Sequence, residues 1–281
     1  MVVGHLAPIG ECGMRRLPRQ AKPRKLEAAL RLYRIHDAIG NQGMTMPGNG
    51  CFVGWYDLAP GDEAEHDHWH THEHMIERVA IPGFLRGSRY RSLTGSPRVC
   101  IMYQSAELST LNSPPYLERL NDPTPWTSRS LPNFVGMNRT MCQVASTHGH
   151  GIGGYLLTVQ LAPGDGKEPG LMNWLSADIL PALAARAGLC AAHLLLGDQG
   201  VSATPTQEKE LRGVPDQIAD WVVLVEGYDR QAVEQAKAEL LGRDGVYAHG
   251  AAGAPVAGLY SLDFTLGEAE AKAVWRHPSS G

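Results

Sequence analysis

Long hydrophobic runs are missing from this sequence. No apolar stretch approaches the roughly 18 residues needed to cross a bilayer, and the longest, around Leu194-Leu195-Leu196, is short. That argues against an integral membrane protein. Cysteine is sparse: Cys12, Cys51, Cys100, Cys142 and Cys190 are widely spaced, odd in number and never form a CxxC pair. This speaks against a disulfide framework and a cysteine zinc knuckle, and points to a reduced, cytoplasmic protein. GxSxG, P-loop and CxxCH motifs are absent as well, which removes the usual signs of a serine hydrolase, a nucleotide triphosphatase and a c-type haem protein. Charged residues are few, 19% of 281, but apolar residues make up 43%. The chain can therefore bury a core, and a mainly disordered protein is excluded. Its length suits two domains or one large one.

The charge that is present is unevenly spread. Residues 1–46 hold eight Lys or Arg and three Asp or Glu, a net +5, which leaves −9 for the rest. An acidic body argues against nucleic acid as a partner. Residues 1–50 read as a separate basic extension, broken by Pro18, Pro23 and Pro47. One short amphipathic helix is expected over 25–39, with Leu26, Leu30 and Tyr33 on one face. The segment lacks the apolar centre of a secretory signal. A disordered arm, or sequence upstream of a start at Met44 or Met46, is expected rather than a targeting segment.

The body carries a repeat. Leu58-Ala59-Pro60-Gly61-Asp62 returns 103 residues later as Leu161-Ala162-Pro163-Gly164-Asp165. Each copy follows a strand-like run and precedes a helical stretch with a tryptophan, Trp69 or Trp174. Each helix ends near a glycine, Gly83 or Gly188. Two strand patterns follow, then a second helix at about 107–120 and 230–241, then a last strand at about 134–146 and 255–266. Each half reads β-α-β-β-α-β, the ferredoxin-like unit. The first unit is expected over 51–148 and the second over 155–281, joined by a Gly-rich 149–154. Each unit would cover one face of an antiparallel sheet with helices. The bare faces of two such sheets would close on each other as an α+β barrel within one chain. Gly149 to Gly154 also fits GxGxxG, but the helix that a dinucleotide site needs is replaced by a strand pattern from Tyr155.

Asp67-x-Trp69-His70-x-x-Glu73-His74-Met75-x-Glu77-Arg78, followed by Ile81-Pro82-Gly83-Phe84 and Arg89-Tyr90, resembles the first helix and second strand of the dimeric α+β barrel superfamily, nearest to its EthD-like branch. The resemblance covers 51–147 by motif and 152–266 by element order. It implies a ferredoxin-like barrel. The superfamily includes cofactor-free monooxygenases, lactone isomerases, polyketide cyclases, dehydratases and haem enzymes, as well as members without known chemistry. The resemblance also places the Glu-His-Met pattern of His74 at the active-site end of the first helix.

His66, His68, His70, His72 and His74 alternate with other residues. Helical spacing of Trp69, Ile76 and Ala80 expects those three to face the sheet. His66, His70 and His74 then form a row one turn apart, beside Glu73 and Glu77. Three uses of that row compete. The row is an acid–base centre, with His74 and His70 moving protons and Glu73 orienting them. Alternatively, His70 and His74 hold a divalent metal; His70-Thr71-His72-Glu73-His74 even matches HxxEH, although that peptidase motif belongs to another fold. Or the row is a solvated flank. Aligning the repeats sets Leu171, Leu175 and Ile179 opposite the three histidines, which favours a pocket wall over a solvated flank and a single site in the first half.

Four further residues are expected to bind substrate. Arg89, if buried, needs an anion. Tyr103 sits on a central strand. Tyr116 and Trp126 flank the Pro123-Thr124-Pro125 stretch, read as a stiff loop serving as lid or pocket wall. The reading as a whole expects a cytoplasmic small-molecule enzyme of isomerase, lyase or cofactor-free oxygenase type. Its substrate would be apolar and aromatic or carbonyl-bearing. No cofactor is expected, with a divalent metal on His70 and His74 as the alternative. A homodimer and a non-catalytic ligand-binding or stress-response barrel also fit the sequence.

Overall fold

Strand β1, Gly50–Leu58, shows how the chain divides its apolar residues. Successive strand side chains point to opposite faces. Cys51, Val53 and Trp55 join one buried cluster, and Phe52, Tyr56 and Leu58 join another. The first cluster fills the inside of a barrel. The second fills the layer between the outside of the sheet and its helices.

The computed structural model describes residues 46–275. The helix expected over 25–39 and the start at Met44 lie outside them. After β1 comes helix α1, built of an α-helical Glu63–Trp69, a π-helical turn His70–His74 and an α-helical Met75–Val79. Strands β2, Phe84–Ser92, and β3, Val99–Ser105, follow. Then come a 3₁₀ turn, Leu108–Asn112, helix α2, Pro114–Asn121, helix α3, Pro125–Ser130, and strand β4, Phe134–Gly149. The second half repeats the plan. It has β5, Tyr155–Pro163, and α4, in which a π-helical Trp174–Ile179 lies between Glu168–Asn173 and Leu180–Ala184. Next are β6, Leu189–Gly197, α5, Gln199–Ala203, α6, Gln207–Arg212, and β7, Trp221–Gly227. The described chain ends with α7, Arg230–Leu240, β8, Ala251–Gly267, and α8, Glu268–Val274.

The eight strands close into one antiparallel barrel in the order β1-β3-β2-β8-β5-β7-β6-β4. Within each half the order is last, first, third, second, the ferredoxin-like arrangement. The halves meet twice, through β2–β8 and β4–β6. The chain thus has the expected α+β barrel fold. Inside the barrel Trp55 donates its indole N–H to Thr158 of the other half at 3.2 Å.

Several local expectations are corrected. Residues 46–50 pack with the body rather than with the extension: Met46 is buried in the barrel, and the Asn49 N–H donates to the Ala106 carbonyl at 2.8 Å. The single helix expected near 107–120 is interrupted at Ser113. Pro114 and Pro115 start α2 there, in the first turn, where a missing N–H costs nothing. Gly149 lies in β4 rather than in the joint. The β6–β7 connection, 198–220, carries α5 and α6, whereas β2 and β3 are joined by residues 93–98 alone. The sequence reading gave no sign of that insert.

Candidate functional site

The row of histidines lies inside the layer between α1 and the sheet. His66 is 3% exposed, His70 is fully buried and His74 is 7% exposed. A solvated flank is therefore ruled out. Trp69 faces the sheet as expected, but Ile76 and Ala80 are only half-buried. The π turn at His70–His74 inserts one extra residue. It moves Glu77 and Ile81, rather than Ile76 and Ala80, to the inward positions. The same turn brings His74 inward beside Trp69, with ring centroids 4.3 Å apart. Gly87 on β2 lets the helix come close: a Cβ there would lie 2.8 Å from Met75 and 2.9 Å from Val79.

Each histidine has its own partners. His66 Nε2 lies 2.7 Å from the Tyr56 hydroxyl, and its Nδ1 lies 3.0 Å from an Asp67 carboxylate oxygen. Burial, reinforced by the charges of Arg91 and Arg89, pushes its pKa down to about 2. It is a neutral ring, with Nδ1–H donating to Asp67 and Nε2 accepting from Tyr56. Burial also raises the Tyr56 phenol, which keeps that proton in place. His70 Nε2 lies 3.2 Å from the Tyr103 hydroxyl, and its Nδ1 has no hydrogen-bond partner among the described residues. Burial, then the neighbouring His66 and His74, hold His70 well below the ordinary histidine range. Both rings are thus neutral across the physiological range.

His74 differs. Its Nδ1 is 3.4 Å from Glu77 Oε1, too long for a tight hydrogen bond. Burial alone would raise the Glu77 pKa, but Arg78 and His74 outweigh it and hold the carboxyl below its usual range. Arg78 lies 3.1 Å from Glu77 and also pairs with Glu208 of α6. A carboxylate–guanidinium–carboxylate chain therefore runs from the second half's insert to His74, and every member of it is buried. Sequence reasoning missed Arg78 and Glu208, which lie 130 residues apart.

The remaining expected residues divide. Tyr103 and Tyr116 are buried in the helix–sheet layer. Tyr103 touches His70, and Tyr116 accepts from Arg139 at 3.4 Å. Glu73 does not serve the row. Its carboxylate is drawn outward to the start of α3, where the hydroxyls of Thr124 and Thr127 donate to it at 2.5 and 3.4 Å. The carboxylate on His74 is Glu77. Arg89 is buried, and Asp263 of β8 supplies the anion it needs at 2.7 Å. Burial would raise Asp263; the hydrogen bond and charge of Arg89 more than offset it and hold it low. Arg89 thus helps to join the halves. The Pro123-Thr124-Pro125 stretch is not a free loop: Thr124 caps α3 by accepting from the Thr127 N–H at 3.0 Å. Trp126 donates to Glu65 at 2.7 Å and packs edge-on against His68, on the exposed flank of α1, so it is no lid over the row. His70 and His74 have ring centroids 5.5 Å apart. Among the described residues no group of three or more His, Cys, Asp or Glu is arranged to hold a metal ion.

No protein-family model and no curated protein matches the chain. Solved structures do. An anthrone oxidase-like protein aligns with a TM-score of 0.57 at 14% identity, over 83% of this chain and 99% of its own. A candidate monooxygenase from Fusobacterium nucleatum subsp. nucleatum gives 0.50 at 8% identity, over 79% of this chain and 95% of its own. Another, from Lactobacillus acidophilus, gives 0.51 at 6% identity, over 78% and 97%. At these identities the likeness shows the fold: this chain is built as a barrel of the dimeric α+β type.

Proposed function

We propose that the protein is a small-molecule enzyme whose base is His74, in the isomerase, lyase or cofactor-free oxygenase range. The observation that carries this is the pair His74–Glu77. An ionised carboxylate sits behind Nδ1 at 3.4 Å, which leaves Nε2 to take a proton and stabilises the imidazolium that results. His70, beside it and held neutral, offers a polar contact without adding charge. The aromatic residues Phe52, Phe84, Tyr103 and Tyr116, packed in the same layer, suit an aromatic ketone.

One chemical step unites the three reaction types. Nε2 of His74 removes a proton from the carbon next to a carbonyl, and the electron pair of the C–H bond moves to the oxygen as an enolate. Returning the proton elsewhere is isomerisation, and expelling a leaving group is a lyase reaction. Reaction of the enolate with dioxygen, as the second substrate, is oxygenation. The row is buried in this structure, so substrate entry requires the packing around it to open. The name of one structural neighbour makes anthrone, an aromatic ketone with an acidic C–H, the first compound to try. The EthD-like branch and an origin by tandem duplication belong to the same reading.

The test follows proton abstraction directly. Exchange of the anthrone methylene hydrogens in D₂O is measured by NMR, and oxygen uptake is measured in parallel. The wild type should accelerate exchange, and a folded His74→Gln protein should lose about 10²-fold or more. Equal rates would remove His74 from the chemistry. A second reading, a binding barrel without chemistry, is favoured by the deep burial of His66 and His70. It predicts ligand binding with no exchange in any variant.

A further inference from the structure

We propose that Arg139 is the anchor for an anionic group on an aromatic ligand, so that the substrate is an aromatic carbonyl compound that also carries a carboxylate or phenolate. This deepens the reading above and rests on it. Arg139 lies on β4 and is 5% exposed. Every other strongly buried arginine described here has a carboxylate: Arg78 has Glu77 and Glu208, Arg89 has Asp263, and Arg212 has Asp216. Among the described residues no carboxylate pairs with Arg139. Its guanidinium lies 5.5 Å from the centre of the Phe52 ring and donates to the Tyr116 hydroxyl at 3.4 Å. Five donors and one weak acceptor leave this guanidinium free to take an anion.

The surroundings of Arg139 are aromatic on one side and polar on the other. The Phe52 ring lies 5.6 Å from Tyr103, whose hydroxyl is the partner of His70, so Arg139 shares the aromatic layer with the histidine row. Tyr116 accepts from Arg139 and keeps its own O–H to donate. On the other side the insert runs along β4: the Arg139 N–H donates to the Gln217 carbonyl at 2.8 Å. That insert contains a cleft of about 640 Å³ whose lining includes Thr206, Lys209 and Asp216. Lys209, which donates to the Ser202 carbonyl at 2.5 Å and lies 3.8 Å from Asp216, is a second cation there. Burial, followed by the charge of Arg139, lowers its ammonium to about 8. A ligand carboxylate on Arg139 would offset the charge that acts on Lys209.

The experiment compares benzoate with its neutral isostere benzamide by calorimetric titration of the full chain, a readout independent of turnover. Benzoate should bind at least about tenfold more tightly than benzamide, and Arg139→Gln should remove that preference. His74→Gln should keep it, so failure of the catalytic reading and failure of this one give different results. Should Arg139→Gln not fold, Lys209→Met decides. That side chain is 18% exposed, and its loss should weaken benzoate severalfold while leaving benzamide unchanged. Equal binding of the two probes to the wild type overturns the proposal. So does an undiminished benzoate preference in a folded Arg139→Gln or Lys209→Met protein.

Discussion

Acid should unfold this protein through its buried histidines before its carboxylates matter. His66 is held at about 2, and His70 is held well below its ordinary range. In the unfolded chain both return to about 6.5. Below that value the unfolded state binds protons that the folded state refuses, so stability falls as the pH falls. Their contribution is complete above about pH 6.5 and is withdrawn at about 1.4 kcal/mol per pH unit for each ring. Between about pH 8 and about pH 5 His66 costs about 2 kcal/mol, against a typical total of about 5–15, and His70 adds to this in the same direction. Glu77 and Asp263, with lowered pKa values, act in the same direction but mainly below the ordinary carboxylate range. Urea unfolding across this interval measures the slope. A His66→Gln, His70→Gln protein should be less stable at neutral pH but markedly flatter in its pH response. An equal slope in the double variant would refute the claim that these rings are buried neutral.

Further outcomes follow from the same contacts. Glu208→Gln leaves Arg78 with one carboxylate instead of two and should cost about 3 kcal/mol or more, a fall in melting temperature of roughly 6–12 °C; an unchanged midpoint would show that the pair carries little. A chain beginning at Met46 should melt within about 2 °C of the full chain, and a drop of about ten degrees would show that the first 45 residues support the core. Protein purified without a His tag should contain substoichiometric zinc, iron, nickel and copper, and its exchange activity should survive chelators. Tightly held metal near one per chain, lost in a His70→Ala, His74→Ala double variant, would favour the metal alternative.

Much of the architecture was legible because it is written locally. Alternation in Cys51 to Leu58, the punctuation by Gly83 and Gly188, and the twice-used Leu-Ala-Pro-Gly-Asp each report on their own neighbourhood. The histidine row was visible for the same reason, since one-turn spacing survives in any helix. What stayed hidden depends on backbone detail or on distance. The π turn in α1 is not marked by any residue type, yet it decides that Glu77 rather than Glu73 serves His74. Arg89 read as a candidate for substrate because its partner, Asp263, lies 174 residues away. Arg139 was overlooked because an isolated arginine in a strand announces nothing until its lack of a carboxylate can be seen.

The closure of the barrel by one polypeptide has a genetic consequence. Where two identical chains close a barrel, every substitution arrives twice, once in each wall, and must be tolerated in both. Here a codon change alters one wall only. Leu171 and Leu175 pack beneath α4 while His66 and His70 pack beneath α1, an asymmetry that a pair of identical subunits cannot encode. One wall is free to become a plain hydrophobic support and the other to carry costly buried polar groups. Each barrel should accordingly hold one histidine site, and its ligand titrations should saturate at a single equivalent per chain.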